Sequence, residues 1–251
     1  MRRLPLIAAL AACIGVTVVT AAWCADSSHR KDTAFGDRVR AYLMAHPEVI
    51  EEAIEALQAK RDKEAADLSA KAIPAHLAEL TQRAADPTLG DGPVTVVEFF
   101  DYRCGYCKAA APHIPDLVAG HKAIRLVFKD YPILSPISDV AARAALAAAK
   151  QGKYVPVHLA FMAEKALDEA AIDRILKDKG VDLDRAHKDM TSPEVEKQLD
   201  ENRDLAKAIG VGGTPSFVVG DKMIGGFLED DILAEVKARA PHPAAAKGAM
   251  P

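Results

Sequence analysis

The sequence predicts an α/β domain with an inserted helical region and a separate helical segment ahead of it. Three observations carry that prediction. An apolar run over 94–102, a helix-compatible stretch from 104 to about 119 and a second apolar run over 124–128 make a β-α-β pattern. A long stretch rich in alanine and charge then shows helical spacing without a strand. Two short apolar runs, 217–219 and 222–224, flank Gly220-Asp221 as in a hairpin, and a last helix follows over 229–240.

Taken in order, the chain opens with Arg2-Arg3, an apolar stretch from Leu4 to Ala22, and small residues at Ala21, Ala22 and Ala25. A positive start, an apolar middle and small residues at a cleavage position predict a signal peptide over 1–25, hence an exported, periplasmic protein. Leu10-Ala11-Ala12-Cys13 also has the shape of a lipoprotein cleavage box, and the 19-residue apolar run is near the length of a membrane anchor. Each outcome leaves the following domain outside the cytoplasm.

Residues 26–85 predict an N-terminal helical oligomerisation segment and linker. Val39, Tyr42 and Leu43 share one face, Pro47 opens a second helix with Glu48 and Glu51 in its first turn, and Ile50, Ile54 and Leu57 continue a 4-3 spacing. So narrow a stripe has no partner within its own segment and needs the main domain or copies of itself. Lys60 to Glu64 reads as a solvated connector, Pro74 as a helix breaker, and Ala85 to Pro93 as a turn-rich boundary. The main domain is expected over 86–240. Its helices are predicted at 139–150, 154–164, 169–179, 184–190 and 193–209, with the helical insertion at about 136–192. Residues 241–251 have the composition of a disordered tail.

A chain of 251 residues with 50% hydrophobic residues holds one sizeable core and an appendage. Losing Arg2 and Arg3 with a leader takes the formal net charge from -4 to -6, which argues against a nucleic-acid partner. Aromatic residues are only 5% and alanine is abundant, as in a largely helical chain.

The chemistry concentrates at Cys104-Gly105-Tyr106-Cys107, between a strand and a helix. The unpaired N–H groups and partial positive charge of a helix N-terminus favour a thiolate at Cys104, and the two-residue spacing brings both sulfurs onto the first turn. Half of a zinc site is the alternative. A tetrahedral site needs two more Cys or His at matching spacing, and only His113 lies nearby. The other two of the four cysteines, Cys13 and Cys24, fall within the leader. An exported protein whose remaining thiols form one such pair is equipped to exchange disulfides rather than to be held by them.

The run from Glu98 through Tyr102 into Cys104 and on to Lys108, the segment Gly213-Thr214-Pro215-Ser216-Phe217, and the helical insertion between them resemble the exported DsbA-like branch of the thioredoxin superfamily. The stretch from Tyr42 to Ile50 is similar to the N-terminal oligomerisation segment of the ScsC-like subgroup. The resemblance implies a thioredoxin fold, with Cys104 as an exposed attacking thiol and Cys107 as the buried resolving thiol. It implies a cis-proline loop at Thr214-Pro215 facing a redox-active Cys104-Cys107 disulfide, with no other cofactor and no metal; an ordinary trans proline opening a strand is the alternative. It also implies an acid at Glu98. Buried in an otherwise apolar strand, that carboxyl would titrate high and exchange a proton with Cys107 through water; an exposed edge position is the alternative. Pro112 matches a proline that bends the active-site helix of such proteins. Lys129 is expected either near the acid or at a solvated strand end, and His113, His121 and His158 as surface or satisfied core residues.

The direction of electron flow depends on the residues between the cysteines and on the one before the proline. Gly105-Tyr106 and Thr214 resemble those of DsbC-type isomerases. The oxidising DsbA type instead carries Pro-His, whose imidazole stabilises the thiolate. The expectation is a thiol-disulfide oxidoreductase acting on exported cysteine-containing proteins, isomerase or reductase in direction, with a membrane redox partner that reduces or oxidises its centre. A homo-oligomer, a trimer by resemblance, joins several active sites. The alternatives are a DsbA-type oxidase and a copper-binding thiol protein or chaperone that captures Cu(I).

Overall fold

The computed structural model describes residues 33–241. The expected leader with Cys13 and Cys24, and the expected tail beyond Pro241, lie outside the described residues. The chain divides into two compact units between Asp62 and Lys63.

In the first unit, helix α1 (33–45) stops just short of Pro47, which has no N–H to continue it, and α2 (Glu48–Ala72), whose last ten residues belong to the second unit, starts afresh with Glu48 and Glu51 in its first turn. Val39, Tyr42, Ile50, Ile54 and Leu57 are all exposed, as are Phe35 and Met44. The predicted stripe is present and uncovered within its own unit.

The second unit is built on a five-stranded sheet in the order β1-β3-β2-β4-β5. Its strands are β1 (Thr88–Leu89), β2 (Val94–Phe100), β3 (Ile124–Asp130), β4 (Ser216–Val219) and β5 (Lys222–Gly225). β2 and β3 are parallel, from Val94 opposite Ile124 to Phe100 opposite Asp130, and the other pairings are antiparallel. A parallel pair requires a crossover, which α4 (Gly105–Ala110), a 3-10 turn (Ala111–His113) and α5 (Ile114–Gly120) supply. Pro112 falls in that turn and splits the helix as predicted.

Side chains alternate between two buried faces, which is why the strands read as nearly unbroken apolar runs. Val94, Val96 and Phe100 of β2, with Leu126 and Phe128 of β3 and Phe217 of β4, meet α4 and α5, the helical insertion and α11 (Glu229–Arg239). Val97, Phe99, Val127 and Val218 point the other way, onto Leu205, Ala206 and Ile209, and onto Ile73 and Leu80. The insertion consists of α6 (Pro136–Ala149), α7 (Tyr154–Ala163), α8 (Glu169–Asp178) and α9 (Leu183–Met190), followed by α10 (Pro193–Ala208). Ser135, Asp168, Asp182 and Ser192 cap four of these by accepting a first-turn backbone N–H.

Three expectations are corrected. The boundary drawn at residue 85 lies inside packed structure: the second unit begins at Lys63. The 3-10 turn (Ile73–His76) at Pro74 and α3 (Leu77–Thr81) bury Ile73 and Leu80 completely against the sheet. The stretch 85–93, read as turns alone, contributes β1, which pairs with the outer edge of β3. The first insertion helix starts at Pro136 rather than 139, because Ser135 caps it and a proline is favoured at the first helical position.

Candidate active site

β2 ends at Phe100, and Asp101, Tyr102 and Arg103 carry the chain to Cys104, the N-cap of α4. Both cysteines are free thiols. The Cys104 sulfur accepts the Cys107 backbone N–H at 3.4 Å and donates to the Thr214 carbonyl oxygen at 3.1 Å. β4 places that carbonyl. It pairs antiparallel to β2 with Ser216 opposite Phe99, so the residues entering β4 stand beside those leaving β2.

The Thr214-Pro215 peptide bond is cis. The Ser216 hydroxyl donates to the Gly213 carbonyl at 2.7 Å, and Gly226 donates its N–H to the Pro215 carbonyl at 2.9 Å, which fixes the loop from both sides. Cys104, expected to be exposed, is only 6% exposed, because the 213–215 loop lies over its sulfur. Cys107 is fully buried one turn further on, and burial pushes its thiol well above the ordinary range. Tyr106 is 80% exposed, and nothing lies within 4 Å of where a side chain on Gly105 would begin. The outer lip of the site is therefore open and accommodates larger residues.

Glu98 is buried in the central strand, not at an edge. It lies on the same face of β2 as Val96 and Phe100, which pack in one cluster with Cys107. Its Oε2 has no hydrogen-bond partner. Burial, and secondarily the charge of Asp130, push its carboxyl up to about 8.

Lys129 is not near Glu98, and it is not solvated. Its odd register sends it to the opposite face of the sheet, where its ammonium is fully buried and bonds Asp86 and the Glu79 carbonyl. Burial raises the Asp86 carboxyl and lowers the Lys129 ammonium, and their mutual attraction offsets part of each. His113 and His121 are exposed, and the His113 ring stacks on Phe227. His158 is a satisfied core residue, with its Nδ1 3.1 Å from the Tyr102 hydroxyl, and burial lowers its ring to about 3.

Sequence reading missed three groups. The Asp101 carboxylate accepts the N–H of Arg103, Ile133 and Leu134 and the hydroxyl of Ser138, tying the cysteine loop to the start of α6. The Lys108 ammonium bonds the carbonyls of Phe161, Met162 and Glu164, so the active-site helix is held to the end of α7. Asp130 is buried and accepts the Tyr154 hydroxyl at 2.7 Å. The available signal was a charged residue at the end of each of two apolar strands, a pattern that also fits a solvated strand end.

A mixed sheet with a cysteine pair at the head of a crossover helix, beside a cis-proline loop and interrupted by a helical insertion, defines the thioredoxin-like class. The family model for the DSBA-like thioredoxin domain matches residues 95–236, and the chain belongs to that family. The model for the copper resistance protein ScsC N-terminal domain matches residues 33–64.

Similar solved structures include a thioredoxin-like oxidoreductase from Silicibacter pomeroyi, at 41% identity and TM-score 0.61, covering 68% of this chain and 98% of that one. The thiol-disulfide exchange protein alpha-DsbA2 from Wolbachia pipientis matches at 29% identity and TM-score 0.64, covering 68% and 96%. The catalytic domain of ScsC from Proteus mirabilis matches at 27% identity and TM-score 0.61, covering 67% and 97%. Among curated relatives, the Na(+)/H(+) antiporter NhaA 3 of Salinispora tropica is 33% identical over 132 residues, which are 51% of this chain and 20% of the antiporter. The chain thus spans about a fifth of that relative's length.

Proposed function

We propose that this protein is an exported, periplasmic thiol-disulfide oxidoreductase acting on cysteine-containing client proteins, isomerase or reductase rather than oxidase in direction. The observation that carries the reading is the 3.1 Å contact between Cys104 Sγ and the Thr214 carbonyl, which sets a thiol at a helix start against the backbone of a cis-proline loop. Cys104 attacks and Cys107 resolves, and the disulfide they form is the only redox group needed. Glu98 exchanges the Cys107 proton, Thr214 and Pro215 face the client, and Gly105 and Tyr106 tune the thiol. Exposed Tyr106, Ile133 and Leu134 around the cysteine loop support contact with the apolar segments of an incompletely folded client. The absence of Pro-His between the cysteines supports the isomerase direction, and a membrane partner keeps the centre reduced. The uncovered stripe on α1 and α2 supports a homo-oligomer, a trimer by likeness to the ScsC N-terminal domain.

Two measurements test this reading: refolding of a scrambled multi-disulfide protein, and the reduction potential of the centre against glutathione. Efficient reshuffling and a potential well below about -120 mV, the strongly oxidising value, are expected. Rapid oxidation of a reduced client with no reshuffling would replace the reading with an oxidase.

A second reading, Cu(I) capture by the two thiols, is favoured by the description of the N-terminal family model as part of a copper resistance protein. It requires reduced protein to withdraw Cu(I) from a colorimetric chelator, and Cys104→Ser to abolish this.

A further inference from the structure

Parallel pairing of β2 and β3 places Phe100 opposite Asp130 and Glu98 opposite Phe128, so Glu98 and Asp130 share one face of adjacent strands, two residues apart in register. Both are buried. Each has one buried oxygen without a hydrogen-bond partner, Glu98 Oε2 and Asp130 Oδ1. The other oxygen of Asp130 is held by the Tyr154 hydroxyl, and its backbone carbonyl by the Asn202 side-chain amide at 3.1 Å. Among the described residues, no buried cation lies on this face. Tyr102 precedes the cysteine loop, α7 contributes Tyr154 and the neutral His158, and α4 contributes Cys107. Lys129, the buried cation among the described residues, faces Asp86 on the far side of the sheet.

Two carboxylates in a dry site with no cation do not ionise together. We propose that Asp130 is the second carboxyl of a buried acid pair, holding with Glu98 a single proton and positioning it for exchange with Cys107. The proposal rests on the reading of Glu98 as the proton exchanger. Burial and the neighbouring charge raise both groups, Glu98 to about 8 and Asp130 to about 7. In the direction that oxidises the centre, a client sulfur is bonded to Cys104 Sγ. The Cys107 proton passes to the pair, which then holds two. The Cys107 thiolate attacks Cys104 Sγ, the bond from Cys104 to the client breaks, and the client thiolate takes up that proton as it leaves. Two electrons pass from the centre to the client, and the pair returns to one proton. Asp130 touches no reacting atom. It acts by making Glu98 a stronger base, so that the proton taken from Cys107 is held more firmly and Glu98 stays protonated to higher pH.

The test follows the reduced protein against oxidised glutathione by acid quench and mass spectrometry across roughly pH 5 to 9, so that attack by Cys104 and release by Cys107 are timed separately. Glu98→Gln is expected to slow release about a hundredfold. Asp130→Asn is expected to move the pH midpoint of release down by about one unit, since Glu98 loses the charge that raises it. Attack by Cys104, timed in the Cys107→Ser background, should be unchanged by Asp130→Asn. If Glu98→Gln slows release but Asp130→Asn leaves the midpoint in place, the pair is overturned and the Glu98 reading survives. If neither alters release, both fall. If Asp130→Asn does not fold, carboxyl carbon-13 NMR of the wild-type protein decides. Coupled two-step titration of Glu98 and Asp130 supports the pair, and two independent single steps overturn it.

Discussion

Cys104 Sγ donates to the Thr214 carbonyl oxygen at 3.1 Å, although 110 residues separate them in the chain. Thr214 thereby covers the thiol at the head of the helix, while Cys107 sits one turn inside, out of contact with solvent. Both sulfurs are buried, but one lies against the cis-proline loop and the other inside the helix, and the proposed roles differ accordingly.

Cys107→Ser should accumulate mixed disulfides between Cys104 and clients, because attack proceeds and resolution does not. Cys104→Ser should accumulate none. Non-reducing electrophoresis of periplasmic extracts checks this, and equal trapping by the two variants would reverse or abolish the assignment.

Replacing Gly105-Tyr106 by Pro-His should raise the reduction potential by stabilising the Cys104 thiolate. The site has room, since Tyr106 is exposed and the Gly105 side-chain position is open. A rise of about 30 mV corresponds to ~1.4 kcal/mol for this two-electron couple. A potential unchanged within error, measured against glutathione, would shift the control to another element such as Thr214.

Glu98 titrates at about 8 in the fold against an ordinary 4.5. Between those values the folded chain keeps a proton that the unfolded chain releases, so its contribution to stability declines as pH rises through that window and levels off above it. Glu98→Gln should flatten the profile and be more stable than wild type above about pH 8. Some slope persists, because Asp130 is raised in the same sense. Urea midpoints at both ends of the window check it, and parallel profiles for the two proteins would count against a buried charge cost at Glu98.

Asp86→Ala should destabilise the second unit by about 3–5 kcal/mol, since it strands a buried ammonium. A double change, Asp86→Leu with Lys129→Met, should recover most of that loss. Denaturant unfolding of the three variants measures it, and a loss under about 1 kcal/mol for Asp86→Ala would mean that Glu79 and water suffice for Lys129.

Removing residues up to 62 should leave the second unit folded and able to exchange disulfides with small dithiols. It should lose most reshuffling of a scrambled client, because linked active sites raise effective concentration. Removing residues up to 85 should in addition uncover the sheet, as Ile73 and Leu80 are fully buried there and large-to-small losses at such sites cost about 2–5 kcal/mol each. Light scattering of the mature chain tests the oligomer, and a monomer at micromolar concentration sinks that part of the proposal.

Local pattern was enough to determine the strand-helix-strand order, the hairpin, the split at Pro112, the cysteine pair at a helix start and the anomalous acid in an apolar strand. Each is set by neighbouring residues: periodicity, proline geometry, or a polar residue where apolar ones surround it. Only the tertiary structure decided which face of β3 each of two adjacent residues occupies. That choice sends Lys129 to Asp86 and Asp130 towards Glu98. It also decided that the 213–215 loop covers Cys104, and that Ile73 and Leu80 close the far side of the sheet. A strand's pattern shows that successive side chains part to opposite faces, but which face is which depends on the neighbours that arrive from distant sequence. The burial, and hence the charge, of Glu98, Asp130 and Lys129 is a property of that assembly and not of the residues themselves.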